Sequence, residues 1–134
     1  ALPPNLAQLW QWSLQSSASF WYSSGTDTIQ ARLEPVYAQL LRGELLSRDQ
    51  QEKFLAWCLD VAQRRAAAIV GNQYRKSYGK AATVTVACAE VLQLRGDQQE
   101  ANRFVDDIRT RFPRHHAFQA ELKAALQRMK SNLG

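Results

Sequence analysis

The fold is decided by the sequence AATVTVACAEVLQLRGDQQEANRFVDDIRTRFPRHHAFQAELKAAL, which occupies residues 81–126. Two strongly helical segments meet in it at the Arg-Gly-Asp sequence of residues 95–97, and a third segment begins near Pro113. Glycine just after a helix supplies the left-handed residue that ends it, and aspartate caps a following helix by accepting backbone N–H bonds. Proline is tolerated in the first turn of a helix. The stretch therefore predicts antiparallel helical hairpins.

The first of these segments also contains a pattern typical of a strand. Residues 83–86 alternate threonine and valine, which are β-branched. The apolar pattern, however, continues to Leu94 for about four helical turns, which favours a helix buried on two sides between its neighbours. Its small side chains would allow those neighbours to approach closely.

Three further helices are predicted upstream. Apolar residues recur at helical spacing over Leu6–Tyr22. A second helix should start at Thr26 or Asp27 and end at Gly43, and because Pro35 interrupts it we expect either a kink near Glu34 or a break there into two short helices. A third should run from Arg48 to Val70 and stop at Gly71, because Ser47 and Gln50 have the spacing of a capping box. Its predicted buried side comprises Phe54, Leu55, Cys58, Leu59, Val61, Ala62, Ala66 and Ile69.

These elements predict an all-α fold of about six helices. We expect an irregular helical bundle in the first half and antiparallel hairpins in the C-terminal half. A length of 134 residues suits one domain spanning 1–134. The chain opens Ala-Leu-Pro-Pro without methionine or a basic and apolar leader, so we expect it to be a piece of a longer protein. No apolar run approaches the roughly 18 residues of a membrane span, and we expect no membrane partner.

The hairpin carries a family resemblance. The pattern Ala-x-Val-Leu-x-Leu-x-Gly-Asp-x-x-x-Ala at residues 89–101 resembles the hairpin of tetratricopeptide (TPR)-type α-solenoid repeats, although no second copy follows at a 34-residue period. Residues 74–126, which include RFPRHHAFQAEL, are similar to helical regions of bacterial proteins that bear a SWIM-type zinc finger. The finger's Cys-x-Cys and Cys-x-His ligands are absent from this chain. The resemblance therefore implies a helical scaffold that binds other molecules, without a zinc function.

The positive charge of the chain belongs to its second half. The net charge is +5, but residues 1–60 hold four Lys/Arg and six Asp/Glu, whereas 61–134 hold thirteen and six. A polarised basic surface can attract nucleic acid or an acidic protein. Arginine-rich helix faces are also common in proteins that bind neither, and this alternative stays open.

The segment NQYRKSYGK at residues 72–80 combines positive charge, aromatic rings and flexible residues. It is either an ordinary connection between helices or part of a nucleic-acid-binding surface, in which cations engage phosphates and a tyrosine stacks on a base. A P-loop is excluded, because the glycines are too far apart and Lys80 is followed by alanine. The candidate residues for nucleic acid or another anion are Arg64, Arg65, Tyr74, Arg75, Lys76, Tyr78, Lys80, Arg109, Arg111 and Arg114.

Aromatic residues are concentrated near the N-terminus, where Trp10, Trp12 and Trp21 are either core residues or an interface. We take them as candidate partner-binding residues. The leading functional hypothesis is a helical scaffold that docks onto a partner protein or onto the rest of its own polypeptide. The alternative is a nucleic-acid-binding accessory domain that uses the basic half.

Signals for catalysis or metal binding are weak. His115 and His116 are adjacent, so they point about 100° apart on a helix and cannot chelate one metal as residues four apart would. Cys58 and Cys88 fall in helical patterns and are expected to be free thiols of a cytoplasmic protein. No GxSxG, HExxH, CxxC or Rossmann fingerprint occurs. We therefore predict no cofactor, metal ligand or catalytic residue.

Overall fold

The computed structural model describes residues 2–20 and 47–133, and these residues are helical except for short connections. The all-α prediction is confirmed. Contacts divide the chain into two compact units, one formed by Ala1–Leu9 with Leu59–Gly134 and the other by Trp10–Cys58. The predicted second helix, with its kink or break near Glu34, and the predicted partner-binding residue Trp21 lie outside the described residues. The helices that are described are α1 (Pro4–Phe20), α2 (Arg48–Gly71), a 3-10 helix (Arg75–Ser77), α3 (Tyr78–Leu94), α4 (Gln98–Arg111) and α5 (His116–Leu133).

Helix α2 begins with the predicted capping box. The backbone N–H of Gln50 donates to the Ser47 hydroxyl at 3.2 Å, and the backbone N–H of Ser47 donates to Gln50 Oε1 at 3.0 Å. These reciprocal bonds satisfy amide groups that have no partner within the helix. The start of α2 is therefore fixed by four consecutive residues.

Helix α3 is the central element of its unit and packs against both α4 and α5. The hydroxyls of its buried residues Thr83 and Thr85 donate hydrogen bonds to the carbonyls of Gly79 and Ala81. Neither hydroxyl is therefore buried without a partner. Alanines and valines cover most of the remaining surface of α3 and let the two neighbours approach closely. The apolar core around it comprises Ala81, Ala82, Val86, Ala87, Ala89, Leu92, Ala101, Val105, Ile108, Phe118, Leu122, Ala125 and Met129.

The turn between α3 and α4 has the predicted glycine but not the predicted cap. Gly96 has φ of 84°, its N–H donates to the carbonyl of Gln93, and the N–H of Asp97 donates to that of Leu92, which together form a Schellman motif. Asp97 occupies the N-cap position of α4, but its side chain makes no capping hydrogen bond. The side-chain cap was therefore wrong, although the position of the turn was right.

Helix α2 ends in the same motif with a different residue. The N–H of Gln73 donates to the carbonyl of Val70, and the N–H of Tyr74 donates to that of Ile69. The left-handed residue is Gln73, with φ of 59°, and Gly71 is still helical. The helix therefore includes the glycine that was expected to end it.

Replacing glycine by alanine should have opposite effects on the free energy of unfolding at the ends of α2 and α3. A methyl group at Gly71 or at Gly96 would meet no atom within 4 Å, so only the backbone conformation differs. We expect Gly71→Ala to raise the free energy of unfolding by about 0.5 to 1 kcal/mol, because alanine loses less entropy in a helix. We expect Gly96→Ala to lower it by about 1 kcal/mol, because φ is positive there. Urea titrations followed by circular dichroism measure both, and two shifts of the same sign would contradict the assignment.

Candidate functional site

Four aromatic side chains join three segments at one end of the α3, α4 and α5 bundle. Tyr78 at the start of α3 packs edge-on against Phe118 of α5, with ring centroids 6.0 Å apart. Phe112, just after α4, packs edge-on against Phe118 at 6.3 Å and against His115 at 5.4 Å. We call these four residues the aromatic cluster. It holds the start of α3, the end of α4 and the start of α5 together.

A side-chain amide reinforces the connection between α4 and α5. Gln119 Nε2 donates to the carbonyl of Arg109 at 3.0 Å and to that of Phe112 at 2.8 Å. These carbonyls lie at the end of α4, where backbone acceptors lack helical partners. The backbone that carries Arg109, Arg111 and Arg114 is therefore tied directly to α5.

Six of the sequence-predicted basic residues lie on the segments that the aromatic cluster joins. Arg75 and Lys76 belong to the 3-10 helix, and Lys80 belongs to the first turn of α3. The other three are at the end of α4 or just beyond it. All six are exposed, and we call them the basic end: Arg75, Lys76, Lys80, Arg109, Arg111 and Arg114.

The charges of the basic end are only partly neutralised. Arg109 pairs with Asp106 within α4. The Glu121 carboxylate lies beside the start of α3, since a methyl group at Gly79 would be 3.5 Å from Glu121 Oε2. Among residues 2–20 and 47–133, no ion pair involves Arg75, Lys76, Arg111 or Arg114. A positive surface therefore remains for an anionic partner.

The two candidate stacking tyrosines differ in exposure. Tyr74 is 60% exposed, whereas Tyr78 is 4% exposed and belongs to the aromatic cluster. Tyr78 therefore cannot offer a ring face to a ligand, and its place in the candidate site is corrected to a core residue. Tyr74 alone of the two can stack on a base.

Arg64 and Arg65 do not lie on the segments that the aromatic cluster joins. They lie on α2, and Arg64 precedes the last residue of that helix by seven positions, about 10 Å at 1.5 Å per residue. Arg64 also pairs with Asp60 at 3.0 Å. Their exposure suits a solvated helix face.

Two exposed aromatic side chains lie next to each other on α2. Trp10 and Trp12 are half-buried. Phe54 and Trp57 are each 59% exposed, and their ring centroids lie 5.9 Å apart. Phe54 had been assigned to the buried side together with Leu55, but adjacent helical residues point about 100° apart, and Leu55 is the half-buried one. We call Phe54 and Trp57 the aromatic pair.

A buried polar network was missed by the sequence analysis. Glu90 of α3 is 1% exposed, and its carboxylate accepts hydrogen bonds from the backbone N–H groups of Asn5 and Leu6 at 3.2 and 2.8 Å. The Asn5 side chain donates to Glu90 Oε2 and to the carbonyl of Ala125, and it accepts from the guanidinium of Arg128. A carboxylate on α3 thus caps the first turn of α1, a role usually taken by a residue adjacent in sequence.

Several groups that could carry chemistry are not assembled in the described part of the chain. No cluster of three or more His, Cys, Asp or Glu side chains there is arranged to hold a metal. Neither cysteine forms a disulfide bond, and both are half-buried; burial raises the pKa of the Cys58 thiol, which disfavours its reactive thiolate. His115 Nδ1 is buried and lacks a hydrogen-bond partner among these residues. A shallow depression is lined by Pro4, Ala124, Gln127, Arg128 and Ser131.

Comparisons with known proteins leave the resemblances untested. No family model matches the chain, and neither does any curated protein or solved structure. The similarity to TPR-type hairpins and to the helical regions of SWIM-type proteins therefore stays a prediction. Among the described helices, none is long and apolar enough to cross a membrane.

Proposed function

We propose that this chain is a helical scaffold module that docks onto a protein partner, either a separate protein or another part of its own polypeptide. The aromatic pair supports this proposal. Phe54 and Trp57 are one helical turn apart, mostly exposed and in contact with each other. Aromatic residues of this kind are enriched among the anchors of protein interfaces.

The free energy available from the pair is sufficient for an anchor. At 59% exposure, each ring leaves on the order of 100 Å² or more in water, since a large aromatic side chain buries 150 to 250 Å² in full. At about 25 cal/mol per Å², covering this surface contributes roughly 3 kcal/mol for each ring. The charged residue that precedes the pair in sequence, Lys53, is also exposed. This arrangement suits an interface with an apolar centre and a wet edge.

Replacing Phe54 and Trp57 by serine should abolish partner binding without unfolding the chain. We expect each change to raise the Kd for the partner by about 30-fold, which corresponds to roughly 2 kcal/mol for an interface anchor. Affinity capture from the source cells with wild type, the double variant and Arg48→Ala identifies the partner, and calorimetry with the purified partner then gives each Kd. Arg48→Ala is the control, since it removes an exposed charge from the first turn of the same helix.

The outcome that contradicts docking through the aromatic pair is a captured protein that binds wild type and the double variant equally well. Thermal melting separates this result from misfolding, because exposed substitutions should change the free energy of unfolding by no more than about 0.5 kcal/mol.

We propose binding of nucleic acid by the basic end as a second function. The arrangement of its cations favours it, since residues from the 3-10 helix, α3, α4 and the connection after α4 lie around one aromatic cluster. Several exposed cations that converge from different segments can contact successive phosphates, and the affinity then depends steeply on salt. An acidic protein segment would use the same charges, so the choice between these partners needs a feature beyond charge.

We further propose a cytoplasmic location. Neither Cys58 nor Cys88 forms a disulfide bond, and thiols remain reduced in the cytoplasm.

A further inference from the structure

We infer that Tyr74 is a stacking platform for a base of single-stranded nucleic acid whose phosphates contact Arg75, Lys76, Arg111 and Arg114. This inference rests on the proposed binding of nucleic acid by the basic end, and it adds the form of the nucleic acid and the residue that selects it. Tyr74 immediately precedes two of these cations in sequence and is 60% exposed. The exposed Tyr74 ring is therefore the feature, besides charge, that favours nucleic acid over an acidic protein.

The backbone around Tyr74 is hydrogen-bonded before any ligand arrives. The Tyr74 N–H donates to the carbonyl of Ile69 at 3.0 Å, and its carbonyl accepts from the Ser77 N–H at 2.9 Å. The Arg75 N–H in turn donates to the carbonyl of Gln73. Because the connection is hydrogen-bonded on both sides of Tyr74, binding a base at this position costs little ordering entropy of the backbone.

An exposed ring beside cations selects a single strand over a duplex. Bases in a duplex are stacked on each other and hide their faces, whereas a single strand can place a base on an aromatic ring. Stacking tolerates any base, because every base has a π-face. The inferred site therefore binds single strands with little sequence preference.

A structural role for Tyr74 is the competing explanation. Tyr74 follows the left-handed Gln73, and the residue at this position of a Schellman motif often packs on the helix it follows. Leucine at position 74 would preserve such apolar packing but would remove the aromatic face. Tryptophan would preserve the face.

The test is fluorescence anisotropy with the full chain and three labelled or competing polyanions: a ten-nucleotide oligo-dT, a ten-base-pair duplex and inorganic polyphosphate. Tyr74→Ala and Tyr74→Leu should raise the Kd for oligo-dT by about 5- to 100-fold, and Tyr74→Trp should not raise it. The Kd values for duplex and polyphosphate should stay within about twofold of wild type in all three variants. Thermal melting of each variant shows that the fold is retained.

A matched pair of lysine variants isolates the phosphate contacts. Lys76→Ala should weaken the binding of all three polyanions about equally. It should also reduce the slope of the logarithm of the binding constant against the logarithm of salt concentration by roughly 0.7 for the single strand. Lys130→Ala removes the same charge from the last turn of α5, about 21 Å along that helix from its first residue, and should leave each Kd within about twofold.

The outcomes separate the inference from the function on which it rests. If oligo-dT binds and Tyr74→Ala changes its Kd by less than threefold, the stacking site is overturned while nucleic-acid binding survives. If duplex or polyphosphate binds as tightly as oligo-dT, the inference is overturned in favour of a general polyanion surface such as one for an acidic protein. If no polyanion binds at low salt, both are overturned.

Discussion

Glu90→Ala should lower the free energy of unfolding by about 3 kcal/mol. The carboxylate accepts three hydrogen bonds, from the backbone N–H groups of Asn5 and Leu6 and from Asn5 Nδ2. Glu90 is almost fully buried and Asn5 is fully buried, so water cannot readily replace the lost acceptor. A buried donor left without a partner costs about 1 to 3 kcal/mol. Loss of a negative charge beside a helix N-terminus adds to this cost.

Chemical denaturation followed by circular dichroism measures the effect, and two variants refine it. Glu90→Gln keeps the volume but replaces one acceptor oxygen by an NH2 group that faces the donors of α1, so we expect an intermediate loss of about 1 to 2 kcal/mol. Glu100→Ala is the control, because that glutamate is exposed and its ion pair with Arg103 contributes less than about 1 kcal/mol. A loss for Glu90→Ala no larger than that of Glu100→Ala would show that the carboxylate does not hold α1.

The network also predicts non-additivity. Asn5 shares hydrogen bonds with Glu90 and also contacts the carbonyl of Ala125 and the guanidinium of Arg128. Residues in one hydrogen-bond network couple by about 0.5 to 3 kcal/mol. Asn5→Ala combined with Glu90→Ala should therefore cost less than the sum of the two single changes, since the second change removes a partner that is already lost.

Local signals in the sequence predicted those parts of the fold that depend on neighbouring residues. Ser47 and Gln50 cap α2 through bonds that span three positions, and Gly96 ends α3 because its own φ is positive. Such interactions are encoded within a few residues, so a single sequence carries them. Apolar residues at helical spacing likewise form the buried faces of α4 and α5, with Ala101, Val105 and Ile108 on the first and Phe118, Leu122, Ala125 and Met129 on the second.

Features that depend on distant residues escaped the sequence analysis. Glu90 stands in a helix of small and apolar residues, and a charge in such a place signals a buried partner. The partner is 85 positions away, which no local pattern reveals. The exposure of Phe54 was missed for a similar reason, since apolar residues occur on more than one side of α2 and only its packing shows which side is covered.

The candidate site was predicted in composition but not in geometry. The sequence indicates the segment at residues 72–80 by its charge and tyrosines, and the segment at residues 109–114 by its several arginines. These two segments are joined only because α3, α4 and α5 fold back on one another. The choice of Tyr74 over Tyr78 follows from ring contacts with Phe118, which lies 40 residues after Tyr78. Burial therefore distinguishes the structural Tyr78 from the exposed Tyr74.

Phe118→Ala should have the largest effect of any single substitution in the aromatic cluster, with a loss of about 4 kcal/mol in the free energy of unfolding. The Phe118 side chain is fully buried and packs edge-on against both Tyr78 and Phe112. Truncation of a buried phenylalanine removes its transfer free energy and leaves a cavity, which together cost about 3 to 5 kcal/mol. Loss of two aromatic contacts adds to this destabilisation, because each contributes about 0.5 to 1.5 kcal/mol beyond burial.

Phe118 supports the basic end as well as the core, so its variants connect stability with binding. Phe118→Leu keeps most of the volume and should cost about 1.5 kcal/mol, which leaves a folded chain for measurement. Phe54→Ala is the matched control, since the same substitution at an exposed position should change the free energy of unfolding by no more than about 0.5 kcal/mol. Denaturant titrations of the three variants measure these changes. Equal losses in the free energy of unfolding for Phe118→Ala and Phe54→Ala would contradict the assignment of Phe118 to the core. If the aromatic cluster positions the basic end, Phe118→Leu should also weaken binding of oligo-dT at a temperature where the chain remains folded, because the segments that carry its cations are joined through this ring.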